Sequence, residues 1–394
     1  MDPRTNPYAP GAGTPPPPEL AGRDGLIEAA AVALDRIRDG LSARSLVMYG
    51  LRGVGKTVLL NQMRLNAEAN GFVTVPVEAP EGRSLPAILL PSLRSSLIRV
   101  SRSEATKAGF KKVFGILASF AKAFRVKYAD IDFSIDIEPE VGIADSGDLE
   151  HDLTELLRSI GEIARDRGVV VSLFIDELQY VEEDQLAALI TALHSSNQRK
   201  LPITLFAAGL PQLLGLLGKA KSYAERLFDF QFIGALAPEF AREAIVEPAR
   251  RLNVEYQTEA IDQIVQATQC YPYFLQAWGQ HCWQVAEKTP ITLADTQQAT
   301  EIAIAQLDSS FFRVRFDRLT PSEKRYIRAM AELGPGPHRS GDVAEVLHRP
   351  VNSIAPTRSS LIKKGMAYSP AHGDIAFTVP LFDGFMKRIM RFEK

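Results

Sequence analysis

The chain of 394 residues contains little cysteine and carries almost no net charge, −2 at pH 7. Its two cysteines, Cys270 and Cys282, cannot build a disulfide framework, and they lack the spacing of a metal site. The first twenty residues also lack the apolar core of a secretory signal peptide. These absences favour a protein of a reducing compartment, and we expect it in the cytoplasm.

Long apolar runs are also scarce, and only one segment resembles one. Residues 201–218 carry no charge, but Pro202, Pro211, Gln212 and three glycines interrupt them. A membrane-spanning helix needs about 20 consecutive apolar residues. The segment therefore predicts a buried strand followed by a helix, and we expect no membrane span.

Charge is distributed unevenly along the chain although its sum is small. From Pro321 onwards there are twelve Lys and Arg against seven Asp and Glu, so the rest of the chain is acidic. A basic module on an acidic body is typical of a nucleic-acid surface, although small domains also carry such a charge by chance.

Strand-like and helix-like segments alternate through the first 235 residues. The strand candidates are continuous apolar runs at 45–50, 72–77, 169–175, 203–208 and 230–235. Apolar strands separated by helices predict an α/β fold with a parallel sheet that is covered on both faces. Four helices without strands are predicted for residues 239–308.

Two segments allow alternative interpretations. Residues 1–20 contain seven prolines, which favours a disordered tail. An insertion at about 100–150 contains a predicted basic helix, 105–126, and an acidic strand, 131–137. The helix either packs on the core or faces a membrane surface or a partner, and the acidic strand disfavours a lipid surface. One side of this helix carries Phe110, Phe114, Leu117, Phe120 and Phe124.

Residues 50–57 read Gly-Leu-Arg-Gly-Val-Gly-Lys-Thr, a complete G-x-x-x-x-G-K-[ST] phosphate-binding loop between a predicted strand and a predicted helix. Backbone N–H groups at the helix N-terminus suit a phosphate. Lys56 is expected to reach the β- and γ-phosphates, and the Thr57 hydroxyl is expected to bind Mg²⁺. The residues expected to hold the nucleotide here are Arg52, Gly53, Val54, Gly55, Lys56, Thr57 and Val58.

Asp176 and Glu177 follow the apolar strand 169–175 directly, at the edge of the sheet where ligands bind in such folds. We expect Asp176 to orient Mg²⁺ and Glu177 to polarise the attacking water. The alternative is that both acids only cap the next helix. Their pairing with the loop at 50–57 favours an ATPase site.

With these motifs the chain resembles the AAA+ superfamily, and more closely the branch that joins the STAND NTPases and archaeal ATPases with the origin-recognition initiators. The resemblance covers nearly the whole chain. Besides the two ATP motifs it includes Gly22-Arg23-Asp24, Ala208-Gly209-Leu210-Pro211, Arg226, Tyr271-Pro272-Tyr273 and a terminal winged helix. It implies a P-loop AAA+ sheet core with a helical lid, ATP and Mg²⁺ as cofactors, and a homo-oligomer as a possible state.

The resemblance also implies roles for residues outside the two ATP motifs. Gly22 and Arg23 would line the adenine, Pro272 would close over the nucleotide, and the segment 6–11 would fold onto that site. Arg226 would be an arginine finger that enters a neighbour's site. The alternative for Arg226 is an ordinary surface or salt-bridge arginine.

Two departures from the AAA+ pattern bear on the rate of hydrolysis. The fourth strand ends in Ala207-Ala208-Gly209, where AAA+ members place a polar sensor residue. The lid offers His281 but no evident sensor arginine, and His281 itself is read as a packed histidine. We therefore expect a slow, switch-like ATPase.

The region after Pro321 has the pattern of a winged helix, three helices and a β-hairpin. Arg358 and Lys364 lie on its third helix, and Arg339 and Arg349 precede that helix, so all four are candidate contacts to duplex DNA. Winged helices also dock proteins, and that alternative stays open. If DNA is bound, Arg358→Ala and Lys364→Ala are expected to weaken binding.

The expected domains are a proline-rich segment at 1–20, the ATPase core at 21–237, the helical lid at 238–310 and the winged helix at 319–394. Three functions remain possible: a DNA-associated ATPase, a STAND-type signalling switch with a protein partner, and a scaffold that nucleotide stabilises.

Overall fold

The structure, a computed structural model, describes residues 1–11, 20–101, 107–126 and 139–392. These residues form two compact units. The sheet unit contains Arg23–Gly50 and Lys56–Ile233, and the C-terminal unit contains Met1–Gly22, Leu51–Gly55 and Gly234–Lys394.

The sheet unit alternates helices with apolar strands, as the sequence predicts. Its elements are α1 (Asp24–Arg38), β1 (Ser45–Tyr49), α2 (Lys56–Ala69), β2 (Val73–Glu78), α3 (Leu85–Ser101), α4 (Lys107–Ala123), α5 (Leu149–Asp166), β3 (Val171–Asp176), α6 (Glu183–Gln198), β4 (Ile203–Gly209), α7 (Leu213–Ala220), α8 (Ala224–Leu227) and β5 (Phe228–Phe232).

The five strands form one sheet in the order β2-β3-β4-β1-β5, and every neighbouring pair is parallel. All residues of β3 and β4 are buried, because helices cover both faces of a parallel sheet. The α/β fold with a parallel sheet is therefore confirmed.

The fifth strand is displaced from its predicted position at 230–235. It pairs with β1 from Ser45↔Phe228 to Tyr49↔Phe232. Ile233 still donates its N–H to the Tyr49 carbonyl at 2.8 Å, but β1 ends there and the chain turns into the loop at 50–57. The apolar residues after 233 therefore have no strand to pair with.

The inserted helix α4 packs on the core of the sheet unit. Phe114, Leu117 and Phe120 are buried in that core, and Phe124 is packed against it. This supports the packing interpretation over a membrane-facing helix. The side chain of Phe110 and the predicted strand 131–137 lie outside the described residues. None of the helices in the described ranges is long and apolar enough to cross a membrane.

The C-terminal unit consists mainly of helices and contains a small sheet. Its elements are α9 (Pro238–Arg250), α10 (Thr258–Thr268), α11 (Pro272–Val285), α12 (Leu293–Ser309), α13 (Phe311–Asp317), α14 (Pro321–Glu332), β6 (His338–Arg339), α15 (Ser340–Val346), α16 (Val351–Lys363), β7 (Ala367–Tyr368), β8 (Asp374–Phe377) and α17 (Phe382–Ile389). The three strands are antiparallel in the order β6-β8-β7. A capping box formed by Thr320 and Glu323 starts α14.

The first eleven residues pack against the helices of the C-terminal unit rather than forming a tail. The Tyr8 ring is buried, and its hydroxyl donates to the Ile245 carbonyl and accepts from the Tyr256 hydroxyl at 3.1 Å. Asn6 donates to the Gln280 carbonyl of α11 at 3.1 Å. Residues 12–19, which hold the densest run of prolines, lie outside the described residues.

Candidate nucleotide-binding site

The loop at 50–57 leaves the carboxyl end of β1 and starts α2 at Lys56. Gly53 and Gly55 have φ values of +84° and +89°, a backbone region that only glycine adopts without strain. The loop therefore turns sharply and ends at a helix N-terminus, whose N–H groups and dipole favour an anion.

Lys56 is buried, and its ammonium donates to the Gly50 carbonyl at the start of the same loop, at 3.0 Å. The side chain thus folds back across the loop, and its charge acts on the carboxylate of Asp176. A buried ammonium is favourable only where it has anionic or carbonyl partners, and a phosphate is such a partner.

Asp176 ends β3 and accepts a hydrogen bond from the side chain of Thr57. Burial raises the pKa of Asp176, while the hydrogen bonds from Thr57 and from the N–H of Glu177 oppose that rise. A cation next to this carboxylate would relieve the cost of its burial. One carboxylate and one hydroxyl fit Mg²⁺, which is usually held by few protein groups together with waters and substrate phosphates.

Glu177 follows in a left-handed backbone conformation with φ +53° and ψ +36°, which is uncommon for a residue other than glycine. Its N–H donates to Asp176 Oδ1 at 2.8 Å. Its carboxylate accepts a hydrogen bond from the side-chain amide of Gln179. Backbone strain of this kind persists where surrounding contacts enforce it, and it is concentrated at functional sites.

Within the C-terminal unit, the middle of the loop is held by two backbone hydrogen bonds. Arg52 donates its N–H to the Thr378 carbonyl at 3.2 Å, and Tyr273 donates its N–H to the Gly53 carbonyl at 3.1 Å. Pro272 is the first residue of α11 and directly precedes Tyr273. The structure therefore places Pro272 beside the loop. Val54 directly follows these two anchored residues and is buried, and Val58 is half-buried in α2.

Gly22 and Arg23 precede α1. Gly22 has a φ of +69°, and a Cβ added there would lie 2.5 Å from the Phe240 ring. This contact requires glycine at position 22 for a structural reason. Burial lowers the pKa of the Arg23 guanidinium. An adenine-binding role for either residue stays a prediction.

Arg226 lies at the opposite edge of the sheet from the loop. It belongs to α8, directly before β5, and β5 runs parallel to β1. Arg226 is exposed and lines an open groove with Arg44 and His194. It forms no ion pair with any other residue of the described ranges. Within one sheet unit it cannot reach Lys56, so a catalytic role would require a neighbouring copy.

The end of β4 carries no polar side chain, as the sequence predicts. Ala207, Ala208 and Gly209 complete this buried strand. His281 is buried in α11, and its ring contacts Gln284 at 3.2 Å. The sequence reasoning missed Gln179, whose only signal was an amide two residues after Glu177 in the same motif.

Two of the four predicted DNA-contacting cations are engaged inside the C-terminal unit. Arg358 donates to Ser369 Oγ at 2.8 Å and to the Asp374 carbonyl at 2.7 Å. Lys364 forms an ion pair with the buried carboxylate of Glu323 at 2.7 Å. Both side chains are half-buried, so the prediction that they contact DNA stays a prediction. Arg339 and Arg349 are exposed.

The chain is similar in sequence and in fold to known ATPases. Residues 19–206 match the AAA ATPase domain family, and residues 309–386 match a domain of unknown function (DUF8462). No curated protein matches the chain. A Walker-type ATPase of Pyrococcus abyssi has a similar structure, with 14% identity, a TM-score of 0.58, and coverage of 93% of this chain and 96% of that chain.

Two further structures align with lower scores. The RuvB Holliday junction branch migration motor of Thermotoga maritima has 14% identity and a TM-score of 0.46, covering 91% of this chain and 92% of that chain. The ORC1 protein of Aeropyrum pernix, in complex with DNA, has 13% identity and a TM-score of 0.47, covering 95% and 94%. Residues 19–206 thus match the AAA ATPase domain family, and the five-stranded parallel sheet is that of a P-loop ATPase core.

Proposed function

We propose that the protein is a slow, Mg²⁺-dependent ATPase whose nucleotide state controls its C-terminal region. The observation that carries the proposal is the convergence of two motifs in the sheet unit. Thr57 of the loop bonds Asp176 of β3, and Lys56 acts electrostatically on the same carboxylate. Two segments more than a hundred residues apart thus meet at one edge of the sheet.

In this proposal each residue has one task. The loop N–H groups and Lys56 hold the β- and γ-phosphates, and Thr57 with Asp176 holds Mg²⁺, which would neutralise phosphate charge when bound. Glu177 accepts a proton from the attacking water. Arg226 is proposed as a finger supplied to a neighbouring copy, where its charge would stabilise the transferring phosphoryl group.

Slow turnover is proposed because the two sensor groups of the AAA+ pattern have no evident counterpart in the described residues. The end of β4 offers only Ala207, Ala208 and Gly209 in the described structure, and His281 is bonded to Gln284 within its own helix. Each absent donor removes stabilisation of the transition state, and the loss of one such donor costs about 100-fold or more in other enzymes. A low rate suits a switch that holds each nucleotide state for a long time.

Coupling to the C-terminal region is proposed through the two hydrogen bonds that hold the loop. Thr378 follows β8, and its hydroxyl donates to the Gly365 carbonyl at 2.6 Å. This hydrogen bond holds Thr378 within the region that follows α14. A loop that changes conformation with nucleotide would alter its bonds to Thr378 and Tyr273. Small-angle scattering with ADP and with a non-hydrolysable ATP analogue is expected to give different shapes. Identical shapes would contradict the coupling.

The region from α14 onwards is proposed to be a winged helix that contacts duplex DNA. Its order of helices and strands, with α16 followed by the β7–β8 hairpin, is that of a winged helix. Arg339, Arg349 and Lys363 are exposed cations, and Asn352 is an exposed polar side chain at the start of α16. Such groups suit phosphates and base edges.

A STAND-type switch that docks a protein through the same region is the second candidate. It is favoured by the internal pairing of Arg358 and Lys364, which reduces the number of cations left for DNA. It predicts tight nucleotide retention, no salt-sensitive DNA affinity and ATP-dependent self-association.

ATP turnover with and without duplex DNA tests the proposal and separates its two forms. The wild type, Glu177→Gln and Lys56→Ala are compared at one protein concentration. We expect slow turnover that DNA stimulates and that both substitutions remove. Turnover indifferent to DNA would favour the protein-docking switch, and turnover that survives Glu177→Gln would contradict the proposed site.

A further inference from the structure

Gln179 connects the candidate catalytic glutamate to the end of the neighbouring strand. Its side chain is 8% exposed and lies in the short helix Leu178–Tyr180. Its amide nitrogen donates to Glu177 Oε2, and its amide oxygen accepts the N–H of Leu210 at 3.0 Å. Leu210 directly follows β4, so one side chain bridges the ends of β3 and β4.

The orientation of this amide is determined by its two neighbours. The N–H of Leu210 can only donate, so it must face the amide oxygen of Gln179. An ionised Glu177 carboxylate can only accept, so it must face the amide nitrogen. In a flipped amide, the amide nitrogen would face the N–H of Leu210, and the amide oxygen would face the carboxylate of Glu177. Both hydrogen bonds would then be lost.

Gly209 provides the space for the bridge. A Cβ at this position would lie 2.7 Å from the amide oxygen of Gln179 and 2.7 Å from Leu213 Cδ2. The strand therefore ends in a residue without a side chain, and the amide of Gln179 occupies the space next to it. A polar group is thus present at the end of β4 although the strand itself supplies none.

Glu177 is consequently held at both ends. Its backbone N–H bonds Asp176 Oδ1 at 2.8 Å, and its carboxylate bonds Gln179. Its strained φ of +53° leaves the direction of the side chain dependent on such contacts. General-base catalysis requires the carboxylate within hydrogen-bond reach of the attacking water, so a lost contact lowers the rate rather than the affinity.

We propose that Gln179 is a positioning residue that aims the Glu177 carboxylate and ties it to the end of β4. The inference rests on the proposed ATPase function and deepens it. Gln179 would thereby supply a polar group at the end of β4, where the AAA+ pattern has a polar sensor residue. Removing the bridge should lower kcat and leave nucleotide binding unchanged.

The test compares Gln179→Met with Gln179→Glu, and Gln198→Met is the matched control because Gln198 is exposed at the end of α6. Gln179→Met keeps the length of the side chain but removes both bonds. Gln179→Glu keeps an acceptor for the Leu210 N–H and places a like charge beside Glu177. We expect kcat to fall by about 10- to 100-fold in both variants, with nucleotide Kd within twofold of the control.

The two variants separate positioning from folding. If Gln179 only supported the fold, Gln179→Glu, which keeps the shape and the Leu210 bond, would retain kcat, and that result would overturn the inference. A parallel loss of kcat and nucleotide affinity in both variants would overturn it as well.

Glu177→Gln in the same assay distinguishes this inference from the proposed function. A loss of turnover in Glu177→Gln with normal turnover in Gln179→Met would overturn only the role of Gln179. Normal turnover in Glu177→Gln would overturn both.

Discussion

The nucleotide site and the basic C-terminal region were both predicted from charged residues, but the charged residues of the two regions have different kinds of partners in the structure. Lys56 and Asp176 come together at one sheet edge, as their motifs indicate. Arg358 and Lys364, which were expected to face DNA, are used for bonds inside their own domain. The contiguous motif thus predicted which charged groups come together, whereas a count of Lys and Arg predicts no partner for any of them.

The physical reason lies in how each pattern constrains the chain. A glycine loop between a strand and a helix fixes the backbone, and a parallel sheet brings the carboxyl ends of its strands to one edge. A surplus of Lys and Arg fixes neither partner nor direction. A cation within reach of a buried carboxylate such as Glu323 pairs with it, because leaving that carboxylate unpaired is costly.

The largest expected effect is at the loop. Lys56→Ala should weaken nucleotide binding by about 100-fold or more, because a buried charge-assisted contact to phosphate is lost. Lys219→Ala, on an exposed lysine of α7, is the control and should bind nucleotide normally. Titration with a fluorescent ATP analogue measures both. Equal affinities for the two variants would contradict the role of Lys56 in nucleotide binding.

Acid provides the next test, at Glu323. Burial raises the pKa of this carboxyl, but hydrogen bonds from Lys364, Ser360 and Thr320 outweigh burial and lower it from 4.5 to about 2. Because the folded pKa is the lower one, the stabilisation is complete above pH 4.5 and is lost as the pH falls towards 2. The difference amounts to about 3 kcal/mol.

Denaturant unfolding between pH 5 and pH 2.5 would detect this loss, with Glu323→Gln as the comparison. The substituted protein lacks the titrating group, so its stability should fall less steeply over that range. Equal slopes for the two proteins would contradict the assigned role of Glu323.

A smaller effect is expected from the lysine partner. Lys364→Met removes the ammonium that neutralises Glu323, and the free energy of unfolding should fall by about 2 kcal/mol, since Lys364 itself is only half-buried. Lys363→Met is the neighbouring control on an exposed side chain and should change stability by less than about 0.5 kcal/mol. Similar losses in both variants would show that the ion pair does not contribute to the free energy of unfolding.

The smallest effect concerns DNA. If the region binds duplex, replacing Arg339 and Arg349 together by Ala should lower affinity by about tenfold and reduce the salt dependence by about two phosphate contacts. Ser353→Ala at the start of α16 should leave the salt dependence unchanged, because it removes no charge. Fluorescence anisotropy at several salt concentrations measures both. An unchanged slope in the double variant would favour a protein partner.

The sequence predicted the elements that have a strong local pattern. It did not predict features that depend on which distant residues come into contact. The parallel sheet and the adjacency of the loop to Asp176 followed from apolar runs and a motif. The position of β5 did not, because Gly234 and Ala235 continue the apolar pattern after β1 has ended. The bridge through Gln179 could not be predicted, since it depends on the register that brings Leu210 beside Gln179.

We propose that the residues binding nucleotide and the residue activating water are separate members of one site. Nucleotide affinity and single-turnover hydrolysis, measured together for Lys56→Ala and Glu177→Gln, test it most directly. We predict that Lys56→Ala loses binding, whereas Glu177→Gln binds ATP normally and does not hydrolyse it. Hydrolysis at the wild-type rate by Glu177→Gln, or normal binding by Lys56→Ala, would contradict the claim.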